Sequence, residues 1–150
     1  MNLSKILARK GYIRIPLTKI NTKHFELKGR INGVKGRFIL DTGASDSCVA
    51  DHLADKFGLE AEASDTQAAG AGASGMETKV SHKNTLCLNV WELRNVQLVL
   101  LDLSHVNQAL EAHKAQPVDG IIGADLLERG KALIDYKGRC VYLQKKVYKY

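Results

Sequence analysis

Cysteine is scarce in this chain. Only Cys48, Cys87 and Cys140 occur in 150 residues, an odd number set far apart with no Cys-x-x-Cys pair. That spacing predicts neither a zinc site nor a disulfide framework, and buried free thiols are the reading that fits. His105 and His113 have no cysteine or third histidine at ligand spacing, so both are expected to face solvent, and no metal and no cofactor is called for. Long apolar runs are missing too. No stretch is long enough to span a membrane. The first ten residues mix apolar and basic side chains without the unbroken apolar segment of a signal peptide. No membrane partner is therefore expected, and a reducing cytoplasm is the default location. Aromatic residues make up 6% of the chain, and its 22 basic residues against 16 acidic ones are scattered. Without a stacking-aromatic motif, the net charge of +6 points to no nucleic-acid partner and mainly aids solubility.

What the chain does have is alternation. Its length suggests one domain, and a hydrophobic fraction of 45% is enough for a core. Residues 1–20 read as an arm, in which Tyr12-Ile13-Arg14-Ile15 forms a short strand that Pro16 confines to an edge or an end. The main domain is expected over 21–143, with a basic and aromatic tail over 144–150. Phe25, Leu27 and Ile31 alternate on one strand; Val34, Gly36, Phe38 and Leu40 alternate on the next. Asn32-Gly33 between them suits a tight hairpin, because both positions tolerate positive φ. Lys28, Arg30, Lys35 and Arg37 take the opposite face. Val49, Leu53 and Phe57 recur at helical spacing, which predicts a short helix over 50–57, opened by Ser47 or Asp51 and closed by Gly58. Two antiparallel strands follow, Leu86-Leu88-Val90 and Val96-Leu98-Leu100, with a turn over 92–95 and Trp91 packing a strand end. Leu103, Val106 and Leu110 predict a helix begun by Asp102 or Ser104, and a last hairpin crosses Lys137-Gly138.

One stretch carries chemistry. Phe38-Ile39-Leu40 reads as a buried strand and runs into Asp41-Thr42-Gly43-Ala44-Ser45. An aspartate there is a carboxylate where water is scarce, and Thr42 and Gly43 offer it a hydroxyl and bare amides. The bland reading is that Asp41 caps a turn after a strand. The functional one needs a second carboxylate, since two acids sharing one site hold a proton between them. Such a pair can take a proton from water and give one to a leaving amine, the logic of the aspartic protease dyad.

Asp41-Thr42-Gly43-Ala44-Ser45, after Phe38-Ile39-Leu40, resembles the active-site segment of the retropepsin-like aspartic proteases. Ile121-Ile122-Gly123 matches that family's second signature, and Ala124-Asp125-Leu126-Leu127 resembles the short helix after it. The resemblance covers most of the chain, from Phe38 to about Leu143. It implies a mainly β protein: a closed β-barrel of the acid-protease fold with two or three short helices, one lobe per chain. It implies an aspartic endopeptidase with Asp41 as catalytic acid, supported by Thr42, Gly43, Ile122 and Gly123. Asp-Thr-Gly occurs once, so the resemblance implies a homodimer in which Asp41 of each copy meets across a two-fold axis. Its partner in turnover would be a polypeptide substrate. Ala44 and Asp46 would contact that substrate, although Asp46 reads equally well as a helix cap. Asp125 invites a rival reading as the second acid, but no Thr-Gly or Ser-Gly follows it, so a role bracing the short helix is expected.

Gly70-Ala71-Gly72-Ala73-Ser74-Gly75 formally fits a dinucleotide fingerprint. Polar residues precede it and a strand-like alternation follows, so the required strand-then-helix context is missing. The resemblance places the family's flap in this interval, with Gly70 and Gly72 offering backbone amides to an extended substrate. A plain surface loop is the alternative. Beside the peptidase, two further readings of the whole chain stay open: a catalytically inactive module of the same fold that binds a peptide or partner without cutting it, and, last in order, a nucleic-acid binder using the basic face and tail, which predicts salt-sensitive binding.

Overall fold

A computed structural model describes residues 2–63 and 78–145. The predicted flap, including Gly70 and Gly72, lies outside the described residues. In chain order the elements are α1 (Leu3–Arg9), β1 (Tyr12–Pro16), β2 (Thr18–Lys19), β3 (Phe25–Ile31), β4 (Val34–Leu40) and β5 (Cys48–Ala50). A 3₁₀ turn over Asp51–Leu53 leads to β6 (Glu62–Ala63), β7 (Lys79–Leu88), β8 (Trp91–Leu101) and α2 (Ser104–Ala112). The chain closes with β9 (Gly120–Ile122), α3 (Ala124–Arg129), β10 (Leu133–Asp135) and β11 (Cys140–Gln144).

The larger sheet runs β2-β3-β4-β9-β5-β8-β7-β6, and a further pairing of β3 with β7 joins its two sides. Strands β3, β4, β9, β5, β8 and β7 thus form a closed barrel of six strands, and closure removes the free edges on which other chains could pair. Its interior is filled by large side chains that solvent does not reach, among them Phe38, Phe57, Leu86, Trp91, Leu93 and Leu98. Beside it a smaller sheet, β1-β11-β10, packs against the short α1 helix through Leu7, Cys140 and Tyr142. The Trp91 indole joins barrel and small sheet, its Nε1–H donating to the Gln144 carbonyl at 2.8 Å.

The β3–β4 hairpin forms in the predicted register, Phe25 opposite Leu40 and Ile31 opposite Val34. Asn32 and Gly33 both take positive φ, 50° and 84°, as the tight turn requires. Asn32 does more than turn: its side chain donates to the Phe57 carbonyl and to Asn84 Oδ1 and accepts from the Thr85 N–H.

The structure corrects three local expectations. The helix over 50–57 is absent; Val49 and Ala50 belong to β5, and only the 3₁₀ turn and a few irregular turns follow. Pairing of β5 with both β8 and β9 captures those residues in extended form, so tertiary contacts override the helical spacing. The turn between β7 and β8 lies at Asn89 and Val90, not over 92–95. Asn89 takes the positive φ there, at 57°. Asn95, at 56°, instead sits in a bulge where two residues of β8 oppose Thr85 alone. Finally, the arm opens with a helix that alternation did not announce, begun by the Asn2 side chain accepting from the Lys5 N–H at 3.3 Å. The start of α2 agrees with expectation. The Asp102 carboxylate accepts from the Ser104 N–H at 2.8 Å and from its hydroxyl, and these bonds hold its pKa below the ordinary 3.8.

Candidate active site

Strand β4 is the first part of the site. Phe38, Ile39 and Leu40 are buried, and they pair in parallel with Gly120, Ile121 and Ile122 of β9. The Asp41 N–H extends this ladder by one rung, donating to the Ile122 carbonyl at 3.0 Å. The two predicted signatures, about eighty residues apart in sequence, therefore meet as neighbouring strands.

After Asp41 the chain turns back on itself. The Gly43 N–H donates to Asp41 Oδ1 at 2.9 Å, and the Ala44 N–H donates to the Asp41 carbonyl at 3.2 Å. A carboxylate held by a backbone amide keeps one orientation, which a group acting on a bound water needs. Asp41 is half-buried, while Thr42 and Gly43 are exposed beside it. Ala44 is buried, and its carbonyl accepts from the Ala124 N–H at 2.7 Å. The next carbonyl, of Ser45, accepts from the Asp125 N–H at 3.2 Å. The open amides at the start of α3 are thus satisfied by the loop that follows Asp41. That loop lies directly on Gly123, where a Cβ would come 2.6 Å from the Ala44 carbonyl oxygen. Only glycine fits there, for reasons of space rather than φ.

Ser47 is the tie that sequence reasoning missed. It was expected at a helix start; instead it is wholly buried beneath the loop. Its hydroxyl donates to Asp125 Oδ1 at 2.7 Å and accepts from the Gly123 N–H at 2.8 Å, and its own N–H donates to the same Oδ1 at 3.0 Å. Asp125 therefore braces the loop as well as opening α3. The only sequence signal was a small hydroxyl residue between the motif and the apolar run Cys48-Val49-Ala50. Asp46 is exposed, and among the described residues no hydrogen bond or ion pair holds its carboxylate.

Cys48 lies under the same loop, 4% exposed. Burial pushes its thiol up from the ordinary 9.0 to about 12; a backbone hydrogen bond at Ile121 lowers it, and the charges of Asp125, Asp41 and Asp46 add to the rise. The thiol is thus neutral and a poor nucleophile. Among the described residues, no group of three or more His, Cys, Asp or Glu is placed to hold a metal ion. None of the helices there is long and apolar enough to cross a membrane.

Comparison with known proteins bears on this geometry. The family model described as aspartyl protease matches residues 27–126. No curated protein matches the chain. Among solved structures, a retropepsin-like aspartic protease from Rickettsia conorii superposes with a TM-score of 0.62 at 22% identity, over 90% of this chain and 91% of that one. The retroviral protease-like domain of Ddi1 from Leishmania major gives a TM-score of 0.53 at 20% identity, over 79% and 86%. The EIAV protease, solved with the inhibitor HBY-793, gives 0.51 at 20% identity, over 77% and 86%. The barrel that closes through β3 and β7 is thus the retropepsin-like fold of these neighbours, and the chain belongs to the aspartyl protease family.

Proposed function

We propose that the protein is an aspartic endopeptidase that works as a homodimer, with Asp41 from each copy forming one active site. The observation that carries this reading is the loop itself. Asp41 is half-buried with Oδ1 fixed by the Gly43 amide, and Thr42 and Gly43 present an open face beside it. One lobe supplies a single such acid, and a lone carboxylate cannot serve as base and acid at once. Two copies related by a two-fold axis supply both.

In the proposed mechanism a water is held between the two Asp41 carboxylates, one ionised and one protonated. The ionised carboxylate takes a proton from the water as its oxygen bonds to the scissile carbonyl carbon. The protonated carboxyl donates to the carbonyl oxygen, giving a tetrahedral diol. That intermediate collapses as its carbon–nitrogen bond breaks: one diol hydroxyl gives its proton to the ionised carboxylate while the protonated carboxyl gives its proton to the nitrogen, so that acid and amine leave neutral overall and the pair again holds one proton. Thr42 of each copy would brace the other copy's loop by a hydroxyl-to-backbone hydrogen bond. Asp46, free of any partner among the described residues, suits a contact with substrate backbone. Ala44 has both backbone groups engaged within the chain and offers only its methyl. Gly70 and Gly72 are proposed to contribute backbone amides to the substrate. A reducing cytoplasm is the proposed compartment, on the strength of three free thiols.

The test is peptidase activity on a peptide library from acidic to neutral pH, with the solution mass measured in parallel. Asp41→Asn should lower kcat/KM by roughly a hundred- to ten-thousand-fold, as for loss of an acid–base group, and specific activity should fall on dilution as dimers dissociate. Undiminished cleavage by Asp41→Asn, or by a monomer, would sink the proposal. Binding of peptides without cleavage by the wild type would favour the inactive module.

A further inference from the structure

The outer face of the β3–β4 hairpin does something a merely solvated face does not. Register places Lys28 directly opposite Arg37 and Arg30 directly opposite Lys35. Like charges facing each other across an antiparallel pair are destabilising, and here two such pairs lie side by side. Only part of that charge is answered. Arg37 Nε is 2.8 Å from a Glu26 oxygen, and its guanidinium also meets Gln116. The acid beside Arg37, Asp119, is engaged by the Arg37 backbone N–H at 2.9 Å and by Lys56 Nζ at 3.7 Å. Lys28, Arg30 and Lys35 have no carboxylate partner among the described residues, and Arg30 reaches only the Gly33 carbonyl, at 3.5 Å.

These cations do not project from a flat surface. Together with Cys87, Asn89, Pro117 and Asp119 they line a groove of about 660 Å³. Four cations against the single carboxylate of Asp119 leave the lining net positive, and a concave site of that kind concentrates ligands of the opposite sign. The groove is remote from Asp41. Arg37 and Lys35 lie four and six residues back along extended β4, roughly 13 and 20 Å at 3.3 Å per residue.

We infer that this groove is an exosite that binds an acidic segment of a polypeptide substrate, separate from the bond being cut. The occupant's identity rests on the peptidase reading above; the groove and its charge do not. Among acidic macromolecules, polypeptide fits better than single-stranded nucleic acid. No aromatic side chain lines the groove for a base to stack on. Extended peptide carboxylates spaced along a strand match cations at alternate positions of β3 and β4.

The test uses full-length Asp41→Asn protein, so that binding is read without cleavage. Three fluorescein-labelled ligands of equal length are compared by anisotropy: a ten-residue alternating Glu–Ser peptide, its Gln–Ser counterpart, and a ten-nucleotide oligothymidine. The acidic peptide should bind at least about ten-fold more tightly than the neutral one, and its affinity should fall as salt rises from 50 to 200 mM. Lys28→Glu with Lys35→Glu should weaken it by about ten-fold or more. The milder Lys28→Gln with Lys35→Gln pair should act in the same direction with the fold intact by circular dichroism. Equal binding of acidic and neutral peptides, tighter binding of the oligonucleotide, or indifference to both double variants would overturn the inference. Cleavage by the wild type is scored separately, so failure of the exosite and failure of the peptidase reading give different results.

Discussion

Replacing Ser47 by alanine removes one oxygen, and the structure says that this oxygen holds three segments together. It donates to Asp125 Oδ1 at 2.7 Å and accepts from the Gly123 N–H at 2.8 Å, from a residue that solvent does not reach. A hydrogen bond to a charged group contributes about 1.5–3 kcal/mol, and a buried amide left without a partner costs about 1–3 kcal/mol. The two terms overlap, because the same oxygen serves both, so the expected loss is about 3 kcal/mol. For a chain of this size that lowers the melting temperature by roughly 6–12 °C. The exposed neighbour Ser45 is the control, since its alanine variant should change stability by less than about 0.5 kcal/mol.

Urea denaturation at one fixed protein concentration would read the effect, because association of copies makes apparent stability depend on concentration. A double-mutant cycle sharpens it. Asp125→Asn keeps an acceptor in the same place but removes the charge, so Ser47→Ala and Asp125→Asn should be coupled, by about 1 kcal/mol or more, rather than additive. A loss below about 1 kcal/mol for Ser47→Ala, or strict additivity in the cycle, would refute the claim that this hydroxyl ties the loop to β9 and α3.

Gly123→Ala should be at least as damaging, by about 2–4 kcal/mol, because a Cβ would meet backbone oxygen of Ala44 at 2.6 Å; thermal melting checks it, and a variant as stable as the wild type would contradict the packing. Asp41→Asn should melt within about 4 °C of the wild type, since the amide oxygen can still accept from Gly43; a collapse of the fold would show that the acid is structural. Asn32→Ala removes bonds to Phe57, Asn84 and Thr85 and should cost about 2–3 kcal/mol, read by chemical denaturation. The Cys48 thiol is raised from 9.0 to about 12 in the fold, so the native chain keeps a proton that the unfolded chain releases. Its contribution is complete below pH 9 and is lost as pH rises from about 9 to about 12, by at most ~4 kcal/mol. The difference in stability between wild type and Cys48→Ala across that window checks it, and a difference that stays constant with pH would count against a buried neutral thiol.

The parts of this fold that were legible in the sequence are those whose cause is local. Asn32-Gly33 announces its turn because the backbone there must take positive φ, and it does. Asp41 and Gly123 are readable because each sits in an apolar run that makes a strand, and the family resemblance supplied their meeting. What failed depended on distant partners. Val49 has helical spacing with Leu53 and Phe57, yet β8 and β9 flank it and draw it into a strand. Asn95 carries the same turn chemistry as Asn89, and only the length of β7 opposite it decides that one is a turn and the other a bulge. Ser47 had a helix-capping pattern; its true partners, Gly123 and Asp125, lie more than seventy residues away.

The two aspartates that competed in the sequence for the role of reacting acid are separated by what their oxygens already do. Asp125 Oδ1 accepts from both the amide and the hydroxyl of Ser47. Drawing a proton onto that oxygen would remove an acceptor from a buried amide and loosen the loop beneath the site. Asp41 has a lighter structural duty, one bond from the Gly43 amide to Oδ1, and among the described residues no hydrogen bond engages Oδ2. An acid that changes protonation in every turnover has to be one whose protonation the fold tolerates. On the proposed reading that acid is Asp41, while the bonds from Ser47 to Asp125 leave Asp125 the task of holding in place the loop that carries Asp41.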